Sequence, residues 1–234
     1  MRKLRRPFFV VNSKSYLYGE ESLKLAKVAD ELAGKYDVDI LFTGQHVDLA
    51  MLKRETKNLI ICAQAMEGLK VGKGMGHILP EALANAGVEA SFLNHAENPM
   101  HLSEIVKTIK RAKEVGILTV ACADSVDDAM AIAMLQPDVM VCEQTELIGT
   151  GKTADSSYME ATNQAVKSVS PTTLTLQAAG ISTGDDVYKA IMSGADGTGG
   201  TSGIVCAKDP AATLQSMIEA LVKARDEINQ NGGK

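Results

Sequence analysis

Three residues could together move a proton within a small molecule: Lys14, His95 and Glu143. A lysine supplies a fixed positive charge, a histidine at the start of a helix can stay neutral and donate a hydrogen bond, and a glutamate in a water-poor pocket becomes a competent base. Such a set suits the abstraction of a proton beside a carbonyl group. Each residue alone is more often a solvated loop residue, so the interpretation depends on the fold bringing the three together.

Two glycine-rich segments could bind a phosphate group of the same molecule. One contains Gly180, and the other spans residues 197–203. Backbone N–H groups in glycine-rich turns that lead into helices favour a dianionic phosphate. The predicted substrate is therefore a small phosphorylated carbonyl compound.

Eight short apolar runs alternate with longer amphipathic segments, such as Glu21–Lys35 and Leu102–Val115. Continuous apolar strands that alternate with helices are typical of a covered parallel sheet. Eight such units in 234 residues predict an α/β fold, a single-domain (β/α)8 barrel over residues 1–234, with a doubly wound open sheet as the alternative. The predicted strands are Phe8–Val11, Val38–Phe42, Leu59–Cys62, Ala90–Leu93, Leu118–Ala121, Val139–Cys142, Thr173–Leu176 and a weaker one at Asp196–Thr201.

A barrel of this kind gathers its functional residues at the carboxyl ends of its strands. The polar residues of this chain follow the predicted strands in that way. Asn12 and Lys14 follow the first strand, Gln64 the third, Asn94 and His95 the fourth, and Glu143 the sixth, while the glycine-rich segments follow the last two. The barrel would therefore place one cation, one imidazole, one carboxylate and two glycine-rich turns on the same face.

Composition excludes several other classes of protein. The net charge is −5, which argues against a nucleic-acid partner, and 45% of the residues are hydrophobic, which excludes a disordered chain. No apolar run approaches the roughly 20 residues of a membrane span, so we expect no membrane partner. The basic start, residues 1–6, precedes an apolar stretch too short for a signal peptide. We expect a cytoplasmic protein.

Motifs for cofactors and metals are not matched. Gly151-Lys152-Thr153 resembles the end of a phosphate-binding loop, but Glu146 stands where that motif needs glycine. Ser202 stands where a dinucleotide fingerprint needs its last glycine. The histidines show no ligand spacing, and the proposed proton transfer needs side chains alone, so we expect no cofactor and no metal.

The cysteines and several methionines are predicted to be buried. The four cysteines are Cys62, Cys122, Cys142 and Cys206, and none forms a CxxC pair, which favours buried reduced thiols over a zinc site. Met130, Met134 and Met192 recur at helical spacing and are interpreted as core residues.

Several segments, in chain order, resemble the triosephosphate isomerase family. They are Asn12-Ser13-Lys14, residues 93–98 (Leu-Asn-His-Ala-Glu-Asn), Glu143 with residues 147–153 (Leu-Ile-Gly-Thr-Gly-Lys-Thr), and residues 179–187, which begin Ala-Gly-Ile-Ser-Thr-Gly. The resemblance covers Pro7 to about Leu221. The short chain and Leu79-Pro80-Glu81 resemble the compact form typical of archaea.

The resemblance implies roles for matching residues. Glu143 would be the base that moves a proton between adjacent carbons, and His95 would polarise the carbonyl and shuttle protons between the oxygens. Lys14 would hold the substrate and stabilise the enediolate, with Asn12 orienting it. Glu97 would support the network around His95 and Lys14.

The resemblance also implies a closing lid and a phosphate cup. Residues 148–152 would form the lid tip, with the Gly149 N–H reaching the phosphate. The backbones of Gly180, Ser202 and Gly203 would complete the cup. Lid closure would exclude water and protect the enediolate from losing its phosphate.

Departures from the family pattern lie around the pocket. Gln144-Thr145 replaces the usual Pro-Pro after the catalytic glutamate, which would make the lid hinge less rigid. Gly199 and Gly200 in the eighth strand would weaken it and, by removing side-chain volume, could enlarge the pocket. Met75 replaces a threonine in the third loop, which in the family contacts a neighbouring subunit. We expect a homo-oligomer, either a dimer or a tetramer, with Met75 as a hydrophobic anchor.

Three functions remain open at this stage. The first is the triosephosphate isomerase reaction, between dihydroxyacetone phosphate and D-glyceraldehyde 3-phosphate. The second is the same proton transfer on a larger sugar phosphate, such as a tetrulose (erythrulose) phosphate, which an enlarged pocket would favour. The third is a non-catalytic barrel that binds a phosphorylated metabolite, which would not need all three chemical groups.

Overall fold

Eight parallel strands close a barrel in chain order. The computed structural model describes residues 2–143 and 155–231. Each strand pairs with the next, and the eighth pairs with the first, which confirms the (β/α)8 barrel and excludes the open sheet. The strands are β1 (Phe8–Asn12), β2 (Ile40–Gly44), β3 (Ile60–Ala63), β4 (Ala90–Leu93), β5 (Leu118–Ala123), β6 (Val139–Cys142), β7 (Leu174–Gln177) and β8 (Gly197–Gly200).

Helices connect the strands and cover the outside of the barrel. Among the described residues they are α1 (Gly19–Tyr36), α2 (Leu49–Glu55), α3 (Pro80–Asn85), α4 (Leu102–Val115), α5 (Val126–Ala133), α6 (Ser156–Val169), α7 (Gly184–Met192), α8 (Ser202–Val205) and α9 (Pro210–Asn231). Residues in left-handed conformation follow two of the long helices: Asp37 after α1 and Gly116 after α4. In the described part of the chain, no helix combines the length and the apolar character that crossing a membrane would need.

The core has two layers, one inside the barrel and one between the strands and the helices. The outer layer joins side chains such as Ile40 and Phe42 of β2 to Ala26 and Ala29 of α1. The strands are buried on both faces, which explains why they read as continuous apolar runs. The inner layer consists of Phe8, Val10, Leu41, Ile60, Cys62, Ala90, Phe92, Leu118, Val120, Cys122, Val139, Val141 and Leu176.

The glycines of β8 let that strand lie close to β1. A Cβ atom on Gly197 would lie 2.5 Å from the Phe8 ring, and one on Gly199 would lie 2.4 Å from the carbonyl oxygen of Val10. The Phe8 ring therefore fills the space at Gly197. Gly199 and Gly200 do line the cavity described below.

We expect Gly197→Ala to reduce the free energy of unfolding by about 1–3 kcal/mol, because the new methyl group overpacks a filled interior. Denaturant titration measures the loss. Phe8→Leu in the Gly197→Ala background should restore part of it, since the obstacle is a side chain. Phe8→Leu should not rescue Gly199→Ala, where the obstacle is a backbone carbonyl. Equal rescue of both variants would contradict this packing.

Four residues predicted to be buried are exposed. Met130, Met134 and Met192 are exposed by 37%, 73% and 41%, so their interpretation as core residues is wrong. Their helical spacing is real, but Met130 and Met134 lie in or just after α5, which buries Ala129, Ile132 and Ala133 instead. Met192 ends α7, which buries Val187, Ala190 and Ile191. Cys206, just after α8, is also exposed, whereas the remaining three cysteines are buried within strands as predicted.

The cysteines should therefore differ sharply in reactivity. In the native protein we expect an aromatic disulfide reagent to modify Cys206 rapidly and the other three only after unfolding, because buried thiols are inaccessible and burial raises the pKa of Cys142 to about 12. The number of cysteines that react, counted from the coloured thiolate that the reagent releases, is measured before and after denaturant is added. Cys206→Ser should abolish the fast phase, and a remaining fast phase would show that the barrel opens.

Candidate active site

Lys14 stands just beyond β1 with its backbone and side chain both held. Its φ is 43°, in the left-handed region, and its N–H donates to Oδ1 of Asn12 at 3.0 Å. The same Asn12 oxygen accepts a hydrogen bond from Oγ1 of Thr43 at 2.8 Å, which fixes the asparagine. The Lys14 ammonium donates to Oε1 of Glu97 at 2.9 Å. The cation is thus directed across the carboxyl end of the barrel.

His95 follows β4 and has a defined tautomer. Its Nδ1 accepts the backbone N–H of Glu97 at 3.1 Å, so in the neutral ring Nε2 carries the proton. Burial lowers the pKa of His95, and the nearby Lys14 charge lowers it further, against an opposing effect of Glu97. The neutral state expected from the sequence has this cause, and not a helix start, because α4 begins only at Leu102.

Glu143 directly follows β6, and its backbone N–H donates to the carbonyl of Ala123 at the end of β5. Burial raises the pKa of this carboxyl to about 7, and Glu97 adds to the rise, while Lys14 opposes it. A carboxyl with this pKa can both accept and release a proton near neutral pH. A carboxyl of this kind suits general acid–base chemistry.

The three groups line one cavity of about 180 Å³ at the carboxyl ends of the strands. This volume suits a ligand smaller than a drug-sized molecule. The structure thus brings together the residues that the sequence singled out: Asn12, Lys14, His95, Glu97, Glu143, Gly180, Ser202 and Gly203.

The glycine-rich loops after β7 and β8 pack against each other at the edge of this cavity. Gly180 has φ 72°, a conformation that side chains rarely adopt. A Cβ on Gly203 would lie 2.6 Å from Cα of Ser182 and 2.7 Å from the carbonyl oxygen of Ile181. Glycine is therefore required at position 203 for the loops to meet. Gly149, the lid residues 148–152 and the Gln144-Thr145 hinge lie outside the described residues.

Sequence reasoning missed Tyr16 and Gln177. Tyr16 lines the cavity two residues after Lys14. Gln177 ends β7 and is buried, and its Nε2 donates to Oγ1 of Thr162 at 2.9 Å and to Oδ1 of Asn163 at 3.1 Å. These bonds join β7 to α6. A glutamine that ends an apolar strand was the available signal for this contact.

In chemical terms the cavity holds a carboxyl that can exchange a proton near neutral pH, a neutral imidazole that can donate from Nε2, and a fixed ammonium. Within residues 2–143 and 155–231, no group of three or more His, Cys, Asp or Glu side chains is arranged to hold a metal ion. The fold and the cavity define a (β/α)8-barrel protein equipped for proton transfer on a small anionic molecule.

Comparison with known proteins identifies the family. The family model described as triosephosphate isomerase matches residues 7–221. A triosephosphate isomerase of Methanothermus fervidus is 37% identical, over 91% of this chain and 98% of the relative. Those of Methanopyrus kandleri and Sulfolobus acidocaldarius are 37% and 32% identical, over 93% and 96% of this chain and 99% of each relative. The chain belongs to the triosephosphate isomerase family.

Proposed function

We propose that this protein is an enzyme that interconverts dihydroxyacetone phosphate and D-glyceraldehyde 3-phosphate. The observation that supports this most directly is the placement of Lys14, His95 and Glu143 around one small cavity, in a chain of this family. A protein that only bound a phosphorylated metabolite would have no use for a carboxyl with a pKa of about 7. The reaction needs no external oxidant or reductant, since one proton leaves one carbon, one proton returns to its neighbour, and the oxidation of the first carbon balances the reduction of the second.

Glu143 acts as the base in this proposal. Its carboxylate removes a proton from the carbon beside the carbonyl, the C–H electron pair forms the C=C bond of an enediolate, and the carbonyl oxygen gains negative charge. The carboxylic acid then returns the proton to the adjacent carbon. A pKa near the working pH lets one group perform both steps.

His95 and Lys14 stabilise the charge that develops on the oxygens. The Nε2–H of neutral His95 donates to the carbonyl oxygen and exchanges protons between the two oxygens. The Lys14 ammonium, fixed by Glu97, supplies positive charge that does not need to reorganise during the reaction. Asn12 orients Lys14 by accepting a hydrogen bond from the backbone N–H of Lys14. Glu97 also fixes the His95 ring, because its backbone N–H donates to Nδ1 of the histidine.

The phosphate binds the backbone N–H groups of Gly180, Ser202 and Gly203 in this proposal. These residues line the same cavity as Glu143, so a phosphate there would place the carbon chain toward the carboxyl. The contribution of the Gly149 N–H, and lid closure over residues 148–152 to exclude water, rest on the family resemblance.

The larger sugar phosphate remains the alternative, because Gly199 and Gly200, on which it depends, both line the cavity. The three-carbon substrate is favoured because the relatives compared above are triosephosphate isomerases.

A steady-state assay with dihydroxyacetone phosphate and, in parallel, erythrulose phosphates tests the proposal. We expect kcat/KM on the triose of order 10⁶ M⁻¹s⁻¹ or more, in the range of efficient enzymes. A weak triose rate beside a strong four-carbon rate would replace the proposed substrate. No turnover of either compound, with phosphate-ligand binding intact, would show a binding protein.

The pH dependence of this reaction should follow Glu143. We expect kcat/KM to rise with pH through about 7, because only the carboxylate of Glu143 accepts a proton and its pKa is raised to about 7. The rate should be divided by the concentration of substrate whose phosphate group is a dianion, because that phosphate gains a proton near pH 6. A rate per dianion that stays constant from about pH 6 to about pH 8 would contradict the assignment of the base.

Assembly and location belong to this proposal as well. We propose a homo-oligomer, a dimer or a tetramer, supported by Met75, a long apolar side chain that is fully exposed on the third loop of the single chain. Light scattering of the wild type and of Met75→Ser tests the contact: the variant should dissociate at higher concentration. A cytoplasmic location is supported by the unpaired thiols, which persist in a reducing compartment.

A further inference from the structure

The main-chain carbonyl of Lys14 accepts hydrogen bonds from two glutamine side chains. Nε2 of Gln64 lies 2.7 Å from this oxygen, and Nε2 of Gln45 lies 3.0 Å from it. Gln45 directly follows β2, and Gln64 directly follows β3. Both acceptor sites of the carbonyl are thus used by side chains from the next two strands of the barrel.

The backbone of Lys14 needs such restraint. A φ of 43° is uncommon for a residue with a side chain, and the surrounding structure must hold it. Asn12 binds the N–H of Lys14, so side chains fix the peptide groups on both sides of this residue. Rotation of the backbone toward the ordinary right-handed region would turn the ammonium away from Glu97 and from the cavity.

We infer that Gln45 and Gln64 are positioning residues that hold the Lys14 ammonium at the substrate site by binding its main-chain carbonyl. The inference rests on the proposed function, because Lys14 must there meet developing negative charge. Neither glutamine is among the described residues that line the cavity of Lys14, His95 and Glu143, although Gln64 lines an adjoining cavity that also includes Lys14 and His95. In this inference both glutamines act through the main-chain carbonyl of Lys14.

Replacing the glutamines by methionine removes the donors and keeps the side-chain length. We expect Gln45→Met and Gln64→Met each to lower kcat/KM about 10-fold, and the double variant about 100-fold, because misplacement of a charged group by about 1 Å has effects of this order. Gln64→Glu should lose as much as Gln64→Met, since a carboxylate fills the same space without a donor. The matched control is Gln215→Met, on the exposed face of α9, where activity should not change.

A double-mutant cycle with Lys14→Met separates positioning from general stability. Without the ammonium, removal of Gln45 and Gln64 should cost less than about 2-fold, because the group they position is absent. The cycle is measured in kcat/KM and also in affinity for glycerol 3-phosphate, which needs no turnover. Both readouts should be strongly non-additive.

Two outcomes would overturn the inference: full activity in the Gln45→Met/Gln64→Met variant, or an equal loss in the presence and the absence of the Lys14 ammonium. Thermal melting of each variant shows that the compared proteins are folded. Failure of the proposed function is distinct, because it appears as an inactive wild type, and the glycerol 3-phosphate cycle then still decides whether the glutamines act through Lys14.

Discussion

Glu143→Gln is expected to lower kcat by about 10²–10⁴-fold while affinity for a phosphate ligand persists, because the carboxamide keeps the shape of the side chain but cannot accept the proton. Glycerol 3-phosphate serves as the ligand, and steady-state kinetics with dihydroxyacetone phosphate give the rate. Lys14 and the glycine-rich loops are unchanged in this variant, so binding of the anion should be close to that of the wild type.

Two further variants make this result specific. Glu143→Asp keeps the base but withdraws it by one methylene, so its kcat should lie between those of the wild type and Glu143→Gln. Glu160→Gln removes an exposed carboxylate from α6 and should leave the rate unchanged. An unchanged kcat in Glu143→Gln would refute Glu143 as the base.

The barrel was readable from the sequence because each strand is apolar on both faces. Runs such as Phe8–Val11 and Val139–Cys142 fill the interior on one side and pack under helices on the other, so they appear as continuous apolar segments. The eighth strand was weak in the sequence because glycines replace apolar side chains there. Its partner β1 supplies the missing volume through Phe8, and such a contact between distant segments leaves no local signal.

The site residues were readable because they stand directly after the strands. The hydrogen bonds that hold these residues in place could not be predicted from the sequence. Gln64 was recognised only as a polar residue after the third strand, and Gln45 was not recognised, since their shared target is a backbone carbonyl that no composition pattern reports. The sequence attributed the neutral state of His95 to a helix start. In the structure, burial and the nearby charge of Lys14 lower the pKa of His95, and both depend on the closed barrel.

The same Glu143→Gln change should stabilise the protein at alkaline pH. Burial raises the pKa of Glu143 from 4.5 to about 7, so the folded state binds the proton more tightly than the unfolded state does. The stability from this carboxyl is therefore complete below about pH 4.5 and is lost as pH rises through about 7. A glutamine cannot ionise and escapes this loss. At pH 8 the variant should gain about 1–3 kcal/mol, or roughly 3–10 °C in Tm.

Melting curves of wild type and Glu143→Gln from about pH 4.5 to about pH 8 measure this gain in stability, which should vanish at the acid end.

Glu97→Gln supplies a control in which the pH dependence of stability has the opposite sign. The hydrogen bond from Lys14 lowers the pKa of Glu97, so its contribution is present above pH 4.5 and is lost as pH falls below that value. Glu97→Gln should therefore melt earlier than the wild type at neutral pH. A Glu143→Gln variant less stable than the wild type at pH 8 would show that the carboxylate is well solvated, which would also remove the cause of its raised pKa. Catalysis and stability then have opposite requirements at this residue: the partly buried carboxylate that takes the substrate proton is the charge whose desolvation destabilises the fold.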